Sequence, residues 1–189
     1  MLKKLEEFGK FIVITGFRGA QIADIEKLIK TFRSKTDPNV EFQFFNAKIV
    51  ASWEHLFFAS LNALSAFKNG QNISKNLAVE TLLYASAQRQ IRKAMELLGL
   101  KKGITEIALL IIGEDVDKVK SALINIEKIV NAKRDDGILM ISDEKIETIL
   151  KSFKISDAEI KAVISQKGDL KEAVKDLIIE RMALLAARR

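Results

Sequence analysis

The chain has 189 residues, a formal net charge of +6, 48% hydrophobic and 30% charged residues, one proline and no cysteine. This composition excludes a disordered or low-complexity protein and fits one domain over residues 1–189 with a substantial core. The missing cysteines exclude a disulfide framework and a thiolate metal site, and suit a reducing, cytoplasmic setting.

The opening Met1-Leu2-Lys3-Lys4-Leu5-Glu6-Glu7 has basic residues but no apolar region after them, so it does not read as a secretory signal. Phe11-Ile12-Val13-Ile14 reads as a first strand. Gly16 and Gly19 bracket a turn before Ile22, Ile25, Leu28, Ile29 and Phe32 recur at helical spacing. After the break at Asp37-Pro38-Asn39, Val40, Phe42 and Phe44 alternate with Glu41 and Gln43 as in a half-buried strand. Ser52 then caps a helix whose stripe is Trp53, Leu56, Phe57, Leu64 and Phe67, ended by Gly70.

Ser74 caps the next predicted helix, where Leu77, Tyr84, Ile91, Met95 and Leu98 keep the helical rhythm as far as Gly99, with room for a kink near Ser86. The longest apolar run, Ile107 to Ile112, is far below the ~20 residues that cross a bilayer, so no membrane partner is expected. It does not alternate, which predicts a central strand covered on both faces. Val116, Val119, Leu123, Ile126 and Val130 form a further helix, and Asp135-Asp136-Gly137 turns into a short fourth strand over 138–141. Three helices follow, starting near Ser142, near Ser156 with Glu159 completing a capping box, and near Asp169. The expected class is therefore α/β: a single small sheet of about four strands flanked by helices, with a helical C-terminal region and strand order left open.

The side chains argue against catalysis. His55 is the only histidine, and beside Trp53 and Leu56 at a helix start it reads as a capping or packing residue. Asp135 and Asp136 precede Gly137 and read as turn residues. Gly16-Phe17-Arg18-Gly19 has the spacing of the GxxG loop of KH RNA-binding domains, but that loop joins two helices and here a strand precedes it. No cofactor site is expected.

Two features point to binding. The helix from Trp53 carries Phe58, Ala59, Ala63 and Ala66 outside its main stripe, and the last helix carries Ile178, Ile179, Met182, Leu184 and Leu185, more apolar surface than one core face takes. Such helices are either deeply buried or partner-facing. Arg89, Arg92 and Lys93 gather where Tyr84 offers a ring, a combination suited to a single-stranded RNA end or to a core network with a solvated basic edge.

The run Ser52-x-x-His55-Leu56, then Glu80-x-Leu82-Leu83-Tyr84-x-Ser86-x-x-Arg89-Gln90-Ile91, resembles the kinase-binding subunit family of the KEOPS complex (TPRKB-like). The closing Glu180-Arg181-Met182-Ala183-Leu184-Leu185 resembles that family's C-terminal pattern. The resemblance implies a non-catalytic adaptor that docks on the complex's atypical kinase and, through it, associates indirectly with the other subunits. It also implies binding of tRNA through its 3′ CCA tail in support of threonylcarbamoyladenosine modification. Carried over by position, Tyr84, Ser86, Arg89, Gln90 and Ile91 occupy the family motif; the expected RNA-binding residues are Tyr84, Ser86, Arg89 and Gln90 with Arg92 and Lys93 of the basic cluster, and the expected kinase-binding ones are Phe58, Ile178, Ile179, Met182 and Leu185 of the two apolar helices. Ala87 departs from the family pattern, where a glycine commonly follows the serine. A kinase-binding scaffold without an RNA role is the alternative, and an enzyme with a small-molecule pocket is a third reading.

Overall fold

The computed structural model describes residues 1–187. In chain order the elements are β1 (Leu2–Leu5), β2 (Lys10–Arg18), α1 (Ile25–Ser34), β3 (Glu41–Asn46), α2 (Trp53–Lys68), α3 (Leu77–Ala85), α4 (Ile91–Leu98), β4 (Glu106–Gly113), α5 (Val116–Val130), β5 (Lys133–Arg134), α6 (Asp143–Phe153), α7 (Asp157–Lys167) and α8 (Leu170–Ala187). The class is α/β, as expected. Contacts divide the chain into two compact units, residues 1–47 with 99–138, and residues 48–98 with 139 onward.

The first unit holds the sheet. Its order is β1-β2-β4-β3, every pairing is antiparallel, and β5 joins β2 at Phe17 and Arg18 on the edge where β1 pairs with residues 10–13. The apolar run of β4 puts it between β2 and β3. Ile107, Leu109 and Ile111 enter a cluster with Val13, Phe17, Phe42 and Phe44 beneath Leu28 and Phe32 of α1 and Val119 and Ile126 of α5. Leu110 and Ile112, of opposite parity, are buried too, so no residue of the run is free to be polar.

Two expectations about this unit need correction. Gly16 is a strand residue, opposite Ala108, and a Cβ there would lie 2.6 Å from the Asp135 carbonyl oxygen and against Ile138. Close backbone approach, rather than a turn, requires the glycine. The segment 138–141 is not a strand either, because Asp136–Leu139 winds into a 3-10 turn. The Asp136 carboxylate accepts the Thr15 hydroxyl at 2.5 Å and the Gly16 N–H at 3.1 Å, and Asp135 accepts the Gly137 N–H at 3.0 Å. These bonds hold the chain in a turn, and the strand pairing falls earlier, on Lys133 and Arg134.

The second unit is helical. Ser52 caps α2 by accepting the His55 N–H at 3.2 Å. Asn76, not Ser74, caps α3, accepting the Val79 N–H at 2.9 Å. Glu80 is fully buried and its carboxylate accepts the N–H groups of Ile73 at 2.9 Å and Ser74 at 2.7 Å, which fastens the loop before α3. The capping box of Ser156 and Glu159 opens α7.

Helix α8 packs against α2, α3, α6 and α7, which is why its apolar residues occupy several faces. Ile178 and Met182 are fully buried, so these two belong to the core rather than to a partner surface, and Leu185 is 7% exposed. Ile179 is half-buried, and Phe58 on α2 is 39% exposed.

Candidate functional site

Residues 77–98 do not form one helix. After α3 the Ala87 N–H bonds the Tyr84 carbonyl at 2.9 Å and the Gln88 N–H bonds the Leu83 carbonyl at 3.0 Å, a Schellman ending. Its left-handed residue is Ala87, with φ 51°, where glycine is normally found. The Cβ makes that conformation about 1–2 kcal/mol unfavourable. Helix α6 ends the same way: Lys154 N–H bonds the Lys151 carbonyl at 3.3 Å, Ile155 N–H bonds the Leu150 carbonyl at 2.9 Å, and Lys154 has φ 53°.

The two endings wall one cleft of about 420 Å³. Ser86, Ala87, Gln88, Arg89, Gln90 and Lys93 line it together with Ser152, Phe153 and Lys154 and with Arg181, Leu184 and Leu185 of α8. Four of these are cationic and, among the described residues lining the cleft, none is acidic. Such a basin attracts an anion, and Leu184, 43% exposed, adds apolar surface.

Arg181 is fixed in place. Its guanidinium donates to the Lys154 carbonyl at 3.1 Å and to Glu159 Oε1 at 2.9 Å, while its Nε is buried with no hydrogen-bond partner among the described residues. Glu159 Oε2 accepts the Ser156 N–H and hydroxyl at 2.7 Å each. Those donors, and then the charge of Arg181, hold the Glu159 carboxyl below its usual range.

His55, whose ring touches the cleft residue Phe153, is 1% exposed. Its Nε2 bonds the Ala85 carbonyl at 2.7 Å, its Nδ1 accepts the Ala51 N–H at 3.3 Å, and its ring meets Phe153 edge-on at 5.7 Å. Burial lowers its pKa to about 4; the Ala85 carbonyl opposes that shift and the charge of Lys145 adds to it. The ring is neutral and structural at neutral pH.

Of the six residues expected to bind RNA, the structure brings Ser86, Arg89, Gln90 and Lys93 to the cleft. Arg89, Gln90 and Lys93 are exposed, whereas the Ser86 hydroxyl is buried and donates to the Leu83 carbonyl at 3.1 Å. Tyr84 is corrected: its ring is 2% exposed and offers no stacking surface. Arg92 is exposed, pairs with Glu96 at 3.5 Å and does not line the cleft. Lys154 and Arg181 were missed. Arg181 stands in the closing pattern quoted above, but nothing in the spacing places it beside residues 86–93. Among the described residues no group of three or more His, Asp or Glu is arranged to hold a metal, and no helix is long and apolar enough to cross a membrane.

The family model described as kinase binding protein CGI-121 matches residues 20–186. The chain belongs to this family. It is 31% identical over 144 residues to the "Regulatory protein Cgi121" of Methanocaldococcus jannaschii, an alignment covering 76% of this chain and 85% of that protein. It is 35% identical over 60 residues to the "KEOPS complex subunit Cgi121" of Pyrococcus abyssi, covering 31% of this chain and 35% of that protein. The match to the CGI-121 family includes α2, both cleft-forming helix endings and α8 up to residue 186.

Proposed function

We propose that this chain is a non-catalytic adaptor of a KEOPS-type complex, which docks on the complex's atypical kinase and holds the single-stranded 3′ tail of tRNA in the cleft between the α3 and α6 endings. In that role it supports threonylcarbamoyladenosine modification in the cytoplasm while other subunits do the chemistry. Membership of a family described as kinase binding proteins, and similarity to a protein named as a KEOPS subunit, support the kinase partner. Phe58, exposed on α2 with its ring 5.7 Å from Phe57, which in turn lies 5.8 Å from Trp53, gives an aromatic patch of the kind enriched at protein interfaces.

The observation that carries the RNA half is the cleft, where Arg89, Lys93, Lys154 and Arg181 converge with no acid among the described lining residues. A chain end fits such a basin, since an unpaired tail offers, beside its phosphates, the base edges and faces that pairing and stacking occupy in a duplex. The test is binding of tRNA with its 3′ tail intact and removed, across a salt series. Salt-sensitive binding lost with the tail is the expected result. Kinase association with no tRNA affinity at low salt selects the scaffold reading instead.

A further inference from the structure

Both helix endings that wall the cleft lead back to His55. Its Nδ1 accepts a backbone N–H and its Nε2 faces a carbonyl, so the ring is the neutral tautomer with the proton on Nε2. The carbonyl it bonds, that of Ala85, directly precedes the turn at 86–87, and Phe153, which its ring meets edge-on, directly precedes Lys154.

The choice of carbonyl matters. In an uninterrupted helix the Ala85 carbonyl would accept the N–H of Arg89, four residues on. The local sequence favours that helix: the segment holds no glycine or proline from 77 to 98, and alanine, at 85 and 87, is the best helix former. Continuation would also free Ala87 from its left-handed conformation. A bond from Nε2–H to that same carbonyl at 2.7 Å competes with continuation and favours the break. Without the break, Arg89 and Lys93 would project from a continuous helix, each residue rotated about 100° from the last, and would not frame the present cleft.

We propose that His55 is a positioning residue for the RNA-binding cleft: by taking the Ala85 carbonyl it ends α3 at the left-handed Ala87 and brings Arg89 and Lys93 into the lining that Lys154 shares. This rests on the reading of the cleft as a tRNA-tail site. His55 touches no RNA and acts through the two turns.

Two substitutions separate its bonds. In His55→Gln the side-chain amide reaches the place of Nε2 and keeps a donor for Ala85, losing the acceptor for Ala51. In His55→Asn the amide oxygen lies near the place of Nδ1 and keeps the acceptor, losing the donor. The full chain is compared for urea stability, amide hydrogen exchange at Ala87 and Gln88, and affinity for tRNA with an intact 3′ tail. The expected result is similar loss of stability in both variants, with faster exchange at Ala87 and Gln88 and roughly tenfold weaker tRNA binding in His55→Asn alone. Equal tRNA affinities and equal exchange in the two variants overturn the proposal. Should His55→Asn fail to fold, His55→Asn with Ala87→Gly decides the matter. Glycine relieves the left-handed residue, so recovered folding and tRNA binding support the role, and recovery of neither overturns it. If the wild-type chain binds no tRNA, the RNA reading fails, while the exchange contrast still tells whether His55 sets the turn.

Discussion

Ala87 and Lys154 share one backbone conformation, φ 51° and 53°, at the ends of two helices, and both line the same cleft. Left-handed residues that are not glycine are uncommon, and they concentrate where the surrounding structure fixes a functional shape. At Ala87 the side chain contributes little that would offset the strain, so Ala87→Gly is expected to stabilise the chain by about 1 kcal/mol. Urea unfolding measures this. Unchanged or lowered stability would mean that the entropy glycine adds to the unfolded chain outweighs the relief.

The cations near residue 90 fall into two classes. Arg89 lines the cleft, whereas Arg92 lies outside it and pairs with Glu96. Arg89→Ala should weaken tRNA binding and reduce the slope of log affinity against log salt by about 0.7, the share of one neutralised phosphate on a single strand. Arg92→Ala should leave that slope nearly unchanged. Equal effects of the two substitutions would mean diffuse surface attraction rather than a seated tail.

Where apolar periodicity and caps carry the signal, the sequence is a good guide: Ile107 to Ile112 becomes the inner strand β4, and Ser52 and the Ser156–Glu159 pair start their helices as read. The site was less legible because its making contradicts local propensity. A helix that stops at Ala85 and turns on another alanine contains no glycine or proline; Ser86, the polar residue between the two, is the one local sign, and it marks a kink without fixing its form. Tyr84 is buried within α3 before the break, and Arg89 is exposed after it. Lys154 and Arg181 join the cleft only through the packing of α6 and α8, which periodicity does not encode. In α8 the apolar excess reflects four helical neighbours instead of a partner, since a face count cannot tell how many elements surround a helix.

That distinction bears on kinase docking. Phe58 is exposed, whereas Ile178 is fully enclosed. Phe58→Glu is expected to leave the fold intact and to weaken kinase association by tenfold or more, as loss of an aromatic anchor does. Ile178→Glu buries an unpaired carboxylate and should unfold the second unit, losing kinase and tRNA binding together. Circular dichroism with a pull-down on the purified kinase reads both. A folded Phe58→Glu chain with full kinase affinity would move the docking face off this part of α2.

The buried imidazole also predicts an acid limit. His55 has a folded pKa of about 4 against an ordinary value of 6.5, so between these pH values the unfolded chain holds the proton and the folded chain does not. Stability from this group is therefore fully present above pH 6.5, falls as pH drops through that window and levels off below about 4, a loss on the order of 3 kcal/mol. The Glu159 and Asp136 carboxyls, both held below their usual range, add further loss at lower pH as they protonate. His55→Gln removes the titrating ring and keeps those carboxyls, so the difference between wild-type and variant urea stabilities isolates the imidazole. That difference should shrink from pH 7 to pH 4.5, because only the wild type is weakened by the ring. A difference constant across this range would show that the ring is charged, or already solvated, in the folded chain.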